Sequence, residues 1–194
     1  MKILGLYSTE DVKIGDVGLK RYLNLDAKLM LKTRGRARGR FGKGKINVVE
    51  RLILNIMTPG HRGKKHRIMT KIAGKYTKAL NIVIKAFALI EKETKENPIQ
   101  VLVRAIENAA PHDEITTIEY GGARYPQAVD CSPLRRMNIA LKNIVHGAFD
   151  KSMNKKPEFH EALAQEIILA SKASNESFAI KKKIETEKQA DAAR

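Results

Sequence analysis

Apolar residues along this 194-residue chain recur mostly three and four positions apart, the spacing of helices that bury one face. Asn47 and Glu50 form a capping box ahead of Val48, Val49, Leu52, Ile53, Ile56 and Met57, and Thr58-Pro59-Gly60 stops that helix. A longer pattern runs from about Ile68 to Glu91 through Ile72, Leu80, Val83, Ile84, Phe87 and Ile90, with Gly74 placed to divide it and the clearer part after Lys75. Asn97 and Pro98 open another helix, with Gln100 where a capping-box partner belongs. Val101, Leu102, Ala105, Ile106 and Ala109 form its apolar face, and Pro111 ends it. Ser132-Pro133 repeats the start signal for Leu134, Met137, Leu141, Ile144, Val145, Ala148 and Phe149. Pro157 opens a further helix carrying Phe159, Ala162, Leu163, Ile167 and Ala170, which Ser171 to Ser177 interrupt. Phe178 begins a charged tail with helical character. Near the start, Asp16 can cap a short helix bearing Val17, Leu19, Tyr22 and Leu23, whereas Met1 to Ile14 shows no clear element.

One stretch breaks the helical rhythm. Ile115 to Tyr120 is rich in β-formers, Gly121-Gly122 supplies the positive φ of a tight turn, and Arg124 to Val129 can return antiparallel. An isolated two-stranded ribbon is marginal in water, and Pro126 needs an edge position. No third strand is evident to complete a sheet. The expectation is an arm that leans on the helical body or on a partner.

Composition adds that 43% of residues are hydrophobic, enough for one real core, which must be aliphatic because aromatics are scarce and Trp is absent. No apolar run reaches the 18 or more residues of a membrane span, and the N-terminus lacks the apolar region of a signal peptide. With Cys131 as its one cysteine the chain has no disulfide framework and no thiolate zinc site. These features describe a soluble, intracellular protein with no membrane partner.

Charge changes the picture most. Residues 27–90 hold 17 Lys or Arg against one acid, Glu50, while the rest of the chain balances 20 bases with 20 acids. The net charge of +16 thus comes from one third of the sequence, and such a localised field calls for a polyanion or an acidic surface. Residues 32–45 read KTRGRARGRFGKGK, with seven basic residues, four glycines and no acid. Glycine and self-repulsion oppose a packed element there. A solvated linker or localisation signal is one reading. Phosphate binding is favoured, because glycine lets the backbone approach while guanidiniums bind in forked pairs. His61 to Arg67 forms a second basic cluster, whose two histidines lie five apart without carboxylates, poor geometry for a metal. Lys71, Lys75, Lys78 and Lys85 share one side of the following helix, which suits a solvated face or RNA or DNA contact.

Catalytic constellations are missing. No phosphate-binding Gly-rich loop appears, nor a βαβ pattern to carry one, and the carboxylates are scattered. Cys131 lies beside a helix cap, where the dipole can lower its pKa, but no base can be placed next to it. A small semi-buried thiol is the better reading, and neither an enzyme, a cofactor nor a small-molecule substrate is expected.

Several ordered motifs resemble a known family. Asn97 to Arg104 (NPIQVLVR), Ala128-Val129-Asp130 followed by Ser132 to Arg136 (SPLRR), and Ser177 to Lys183 (SFAIKKK) look like small-subunit ribosomal protein number seven. The helix from Asn47, then Gly74-Lys75 and Ile82-Val83, is similar to the family's signature region. Leu6 to Thr9 and the AIKKK tail resemble its archaeal and eukaryotic branch. Tyr76 departs from that signature, which usually has Lys or Arg there, and residues 61–73 look longer than in many relatives. The resemblance implies a mainly α, single-domain bundle of about six helices with one protruding two-stranded β-hairpin arm. It implies a cytoplasmic, ribosomal location and binding to the head domain of small-subunit rRNA as an early assembly protein. It also implies neighbouring ribosomal proteins as partners, and an arm near the mRNA exit path and the exit-site tRNA. On this reading the chain divides into an N-terminal extension (1–46), a helical domain with its arm at 115–130 (47–175) and a charged tail (176–194).

The expected phosphate contacts are Arg34, Arg36, Arg38, Arg40, Lys43, Lys45, Arg62, Lys64, Lys65, Arg67, Lys71 and Lys75. Arg135 and Arg136 stand at a helix start, where cations oppose the dipole, so an external anion would explain them. Arg124 and Tyr125 suit contact or stacking on the arm. The competing reading is an architectural DNA-binding protein with a β-arm, although Gly121-Gly122-Ala123 offers no wedge at the tip. An RNA-acting enzyme would need an acid–base pair that the sequence lacks.

Overall fold

The computed structural model describes residues 2–33, 37–63, 65–66, 72–153 and 155–194. Its longer helices follow the apolar periodicity: α2 (Val48–Ile56), α3 (Tyr76–Thr94), α4 (Pro98–Ala109), α5 (Pro133–Ser152), α6 (Phe159–Ser171) and α7 (Phe178–Asp191). A single-turn helix α1 (Val17–Lys20) precedes them, capped by Asp16, whose carboxylate accepts from the Gly18 N–H. The architecture is mainly α, as expected. α6 lies at the centre, packed against α3, α4 and α5. Phe87, Ile90, Ile99, Leu102, Ile106, Met137 and Phe149 are fully buried around it. This core, largely aliphatic with Phe87 and Phe149 among it, draws mostly on the predicted apolar faces.

Two predicted capping boxes resolve differently. Asn47 and Asn97 cap their helices, accepting from the N–H groups of Val49 and Ile99 at 2.9 and 3.0 Å. Glu50 instead accepts from the backbone and hydroxyl of Thr33. Gln100 turns away to bond both the N–H and the carbonyl of Lys13. The longer-range partner wins in both cases, because it satisfies backbone groups at Lys13 and Thr33 that lie outside any ladder.

The N-terminal region is a strap. β1 (Lys2–Ile3) and β2 (Tyr7–Ser8) form a two-residue ladder where no element was expected. Beyond it, Glu107 on α4 accepts from the N–H groups of Gly15 and Asp16, and Asn97 Nδ2 donates to the Ser8 carbonyl at 2.7 Å. Ile3, Leu19, Leu23 and Leu31 join the core. Within the predicted pattern from Ile68, the part after Lys75 forms a helix starting at Tyr76, and Gly74, placed to divide the pattern, takes a left-handed φ of +70°. Ile68 itself lies outside the described residues. The charged tail is α7, which packs on α5 and on the base of the hairpin.

The hairpin pairs β5 (Asp113–Tyr120) with β6 (Ala123–Asp130), from Asp113 opposite Asp130 to Tyr120 opposite Ala123. It remains two-stranded, with Gly121 and Gly122 both at positive φ in the turn. A third short ladder, β3 (His61–Arg62) with β4 (Lys65–His66), closes the loop after α2. Every residue from Ile115 to Gln127 is exposed, so only the hairpin's root touches the body. Eight residues per strand at about 3.3 Å each make an arm of roughly 26 Å. Among the described residues no helix is long and apolar enough to cross a membrane.

Candidate nucleic-acid interface

The basic third of the chain shows no carboxylate of its own to solvent. Its one acid, Glu50, is 5% exposed and turned inward onto Thr33. Tyr76 stands beside it, its hydroxyl donating to the Leu31 carbonyl, with Lys32 Nζ 5.4 Å above its ring. Burial, then the Glu50 charge, push the Tyr76 hydroxyl up to about 12. This cluster fixes one end of the Gly/Arg segment. The other end is held by Asn24, whose amide donates to the Lys45 carbonyl at 2.9 Å, and by Asn47, which donates to the Asp26 carbonyl at 2.8 Å.

Between these anchors the described part of the segment is more ordered than its composition suggests. Phe41 adopts a left-handed φ of 60° and leads into a 3-10 turn over Gly42–Lys45. Gly42 is buried so close to Ala37 that a Cβ would lie 2.6 Å from the Ala37 carbonyl oxygen. Arg38, Arg40, Lys43 and Lys45 all face solvent from this loop. Arg40 lies over the Phe41 ring at 5.2 Å. A cleft of about 400 Å³ opens beside them, with Ile46, Leu54, Met57 and Tyr76 below and Lys32, Arg38 and Lys43 at the rim.

The other expected contacts are placed unevenly. Arg34, Arg36, Lys64, Arg67 and Lys71 lie outside the described residues, and Lys65 contributes only its place in β4. Lys75 is exposed just ahead of α3, and Lys78 and Lys85 lie on that helix's exposed side. Arg62 is tied down: it pairs with Asp150 at 2.8 Å, donates to the His146 carbonyl at 3.1 Å and lies over the Phe178 ring at 5.5 Å. Burial first, then the charges of Arg62 and Lys142, hold the His146 imidazole down at about 4.

Arg135 and Arg136 have internal anions where an external one was expected. Arg136 pairs with Asp16 at 2.9 Å, its side chain 9% exposed, and donates to the Pro111 carbonyl. Arg135 pairs with Glu114 at the root of the arm. These carboxylates come from other elements, which is why the spacing around Ser132 does not reveal them. Cys131 is 7% exposed, and burial and then Glu114 push its thiol up to about 11. Its place beside a helix cap therefore does not activate it. Arg124 pairs across the arm with Glu119 at 3.5 Å, and Tyr120 and Tyr125 stand out near the tip at 82% and 60% exposure.

A helical body with one strongly basic side and a projecting ribbon is the build of a structural nucleic-acid-binding protein. Comparison with known sequences makes this specific. Residues 20–194 match the family described as ribosomal protein S7p/S5e. A small ribosomal subunit protein uS7 from Nanoarchaeum equitans is 52% identical over 196 residues, covering 100% of this chain and 99% of the relative. One from Picrophilus torridus is 42% identical over 193 residues, covering 99% and 98%. The chain belongs to the S7p/S5e family, whose members are structural, non-enzymatic proteins of the small ribosomal subunit.

Proposed function

We propose that the protein holds the head domain of small-subunit rRNA through its basic third, helps to nucleate assembly of that domain, and reaches a second partner with its arm. The observation that carries this is the inward turn of Glu50, which leaves the surface of residues 27–90 without a carboxylate of its own among the described residues. Arg38, Arg40, Lys43 and Lys45 form the described part of the grip, with Lys75, Lys78 and Lys85 extending it along α3. Arg34, Arg36, Lys64, Lys65, Arg67 and Lys71 complete it by charge and position in the sequence. Arg136 is excluded, since its guanidinium is buried on Asp16. A-form RNA offers side chains little base readout, so backbone and shape contacts dominate.

The arm holds four acids and one base in residues 113–130, so it does not share the grip's attraction to phosphate. Tyr120, Arg124 and Tyr125 near its tip suit stacking and hydrogen bonding. We assign their partners as mRNA and exit-site tRNA on the ribosome in the cytoplasm, with neighbouring ribosomal proteins around the body.

Filter binding at matched salt tests this reading. The protein binds structured small-subunit RNA tightly and with steep salt dependence, and duplex DNA of equal length far more weakly. Equal affinity for both would favour an architectural DNA-binding protein. Sedimentation of cell extract gives a second check, with the protein travelling in small subunits.

A further inference from the structure

The four residues at the junction of α4 and the arm are each held by a different side chain. The Pro111 carbonyl accepts from Arg136 Nε at 3.1 Å. The His112 N–H donates to Glu187 of α7 at 3.0 Å. Asp113 pairs with Arg194 at 2.5 Å, and Glu114 pairs with Arg135 of α5. Successive strand residues point to opposite faces. Arg194 therefore grips one face of β5 and Arg135 the other. The Cys131 N–H closes the ladder onto the His112 carbonyl at 2.7 Å. α7 itself is fixed at its other end. Ser177 Oγ donates to the wholly buried carboxylate of Glu166 at 2.7 Å, and Lys151 pairs with the same carboxylate. Lys183 then ties the middle of α7 to the Asn108 carbonyl at 3.0 Å.

We propose that Arg135, Arg194 and Glu187 are positioning residues that lock the angle of the arm by gripping both faces of its root and the backbone just before it. Beyond its root, on which α7 also packs, the ribbon stands clear of the described body, every residue from Ile115 to Gln127 being exposed. The leverage makes the root decisive: a swing of about 10° there carries the tip of a roughly 26 Å arm through about 4–5 Å. A ribbon that must meet a partner at a fixed place needs such a hold. The residues that supply it come from α5 and from α7 and the chain just beyond it, not from the arm. Arg135, expected to meet an external anion, is one of the pins.

The inference concerns the arm's angle and stands whichever molecule meets the tip, so it is tested on the free full-length protein, apart from RNA binding. Spin labels are placed on Ala123→Cys at the tip and Glu93→Cys on the exposed side of α3, with Cys131→Ser removing the native thiol. The distance distribution is narrow with the lock intact. In Arg194→Ala and Glu187→Ala together it broadens by about 4–5 Å or more, the spread expected of a 10° swing. Arg194→Lys with Glu187 retained keeps it narrow, and the helix content of all variants is unchanged. A distribution that stays narrow when both residues are removed overturns the proposal. So does equal broadening in Arg194→Lys, because a lock built on charge and reach survives that change.

Discussion

Gly147 lets α5, α6 and α7 meet at one point. A Cβ there would lie 2.8 Å from both Glu166 Cδ and Phe178 Cβ. Neither neighbour is free to give way: Glu166 is wholly buried and holds Ser177, Ala179 and Lys151. Gly147→Ala is therefore expected to cost about 1–3 kcal/mol, overpacking outweighing the gain of up to about 1 kcal/mol in helix propensity. Chemical denaturation reads this directly, and a stabilised variant would show that the three helices are not in close contact. His146, one residue earlier, makes a prediction about pH. Its folded-state pKa of about 4 lies below the ordinary 6.5. Burial favours the neutral ring, so its contribution is present above pH 6.5 and is lost as pH falls from there through about 4. The loss amounts to roughly 3 kcal/mol. Unfolding free energies of native protein and His146→Asn, compared between about pH 7 and about pH 4, should converge as acid is added. Parallel curves would mean that the ring stays accessible to protons in the fold.

At the scale of elements, the Gly/Arg segment separates charge from folding. Arg38, Arg40, Lys43 and Lys45 are exposed, whereas Leu31, Gly42 and Ile46 in and beside the segment are buried. Replacing the four exposed cations with alanine is expected to leave circular dichroism unchanged and to reduce the salt slope of RNA binding by about 3, at roughly 0.7–0.9 per lost phosphate contact. An unchanged slope would place the grip elsewhere. The same segment shows what a sequence can reveal. The main helices were legible because their signals are local: apolar spacing, the caps at Asn47 and Asn97, and the glycines of the hairpin turn. The N-terminal strap was not legible, because its order comes from Gln100 and Glu107, 87 and 92 residues away, which bond its backbone. For the same reason Glu50 reads as half of a capping box but acts as the anchor of Thr33. The charge density of the basic loop was readable, since it needs no fold to be seen. The fate of Arg62 and Arg136 was not readable, since their partners Asp150 and Asp16 lie 88 and 120 residues away.

At the scale of the whole molecule, charge and shape are divided between two parts of one bundle. The net charge resides in residues 27–90, while the arm carries more acids than bases and projects from the junction of α4, α5 and α7. An arm that held RNA by phosphate attraction would need cations along its length, but its one arginine, Arg124, already faces Glu119. On the proposed function, anchoring and reaching are separable, and variants can divide them. Changing Tyr120, Arg124 and Tyr125 together to alanine touches only exposed side chains, so the bundle remains folded. We expect this triple variant to bind isolated head-domain RNA with native affinity and a salt slope reduced by no more than about 1, the share of its single arginine. Small subunits assembled with it should instead release exit-site tRNA faster than subunits with the native arm. The four-cation variant should show the reverse, with weakened RNA binding and normal tRNA release from those subunits that do assemble. If the arm variant lost RNA affinity as steeply as the loop variant, the ribbon would be part of the grip, and the inward turn of Glu50 would no longer mark where the RNA is held.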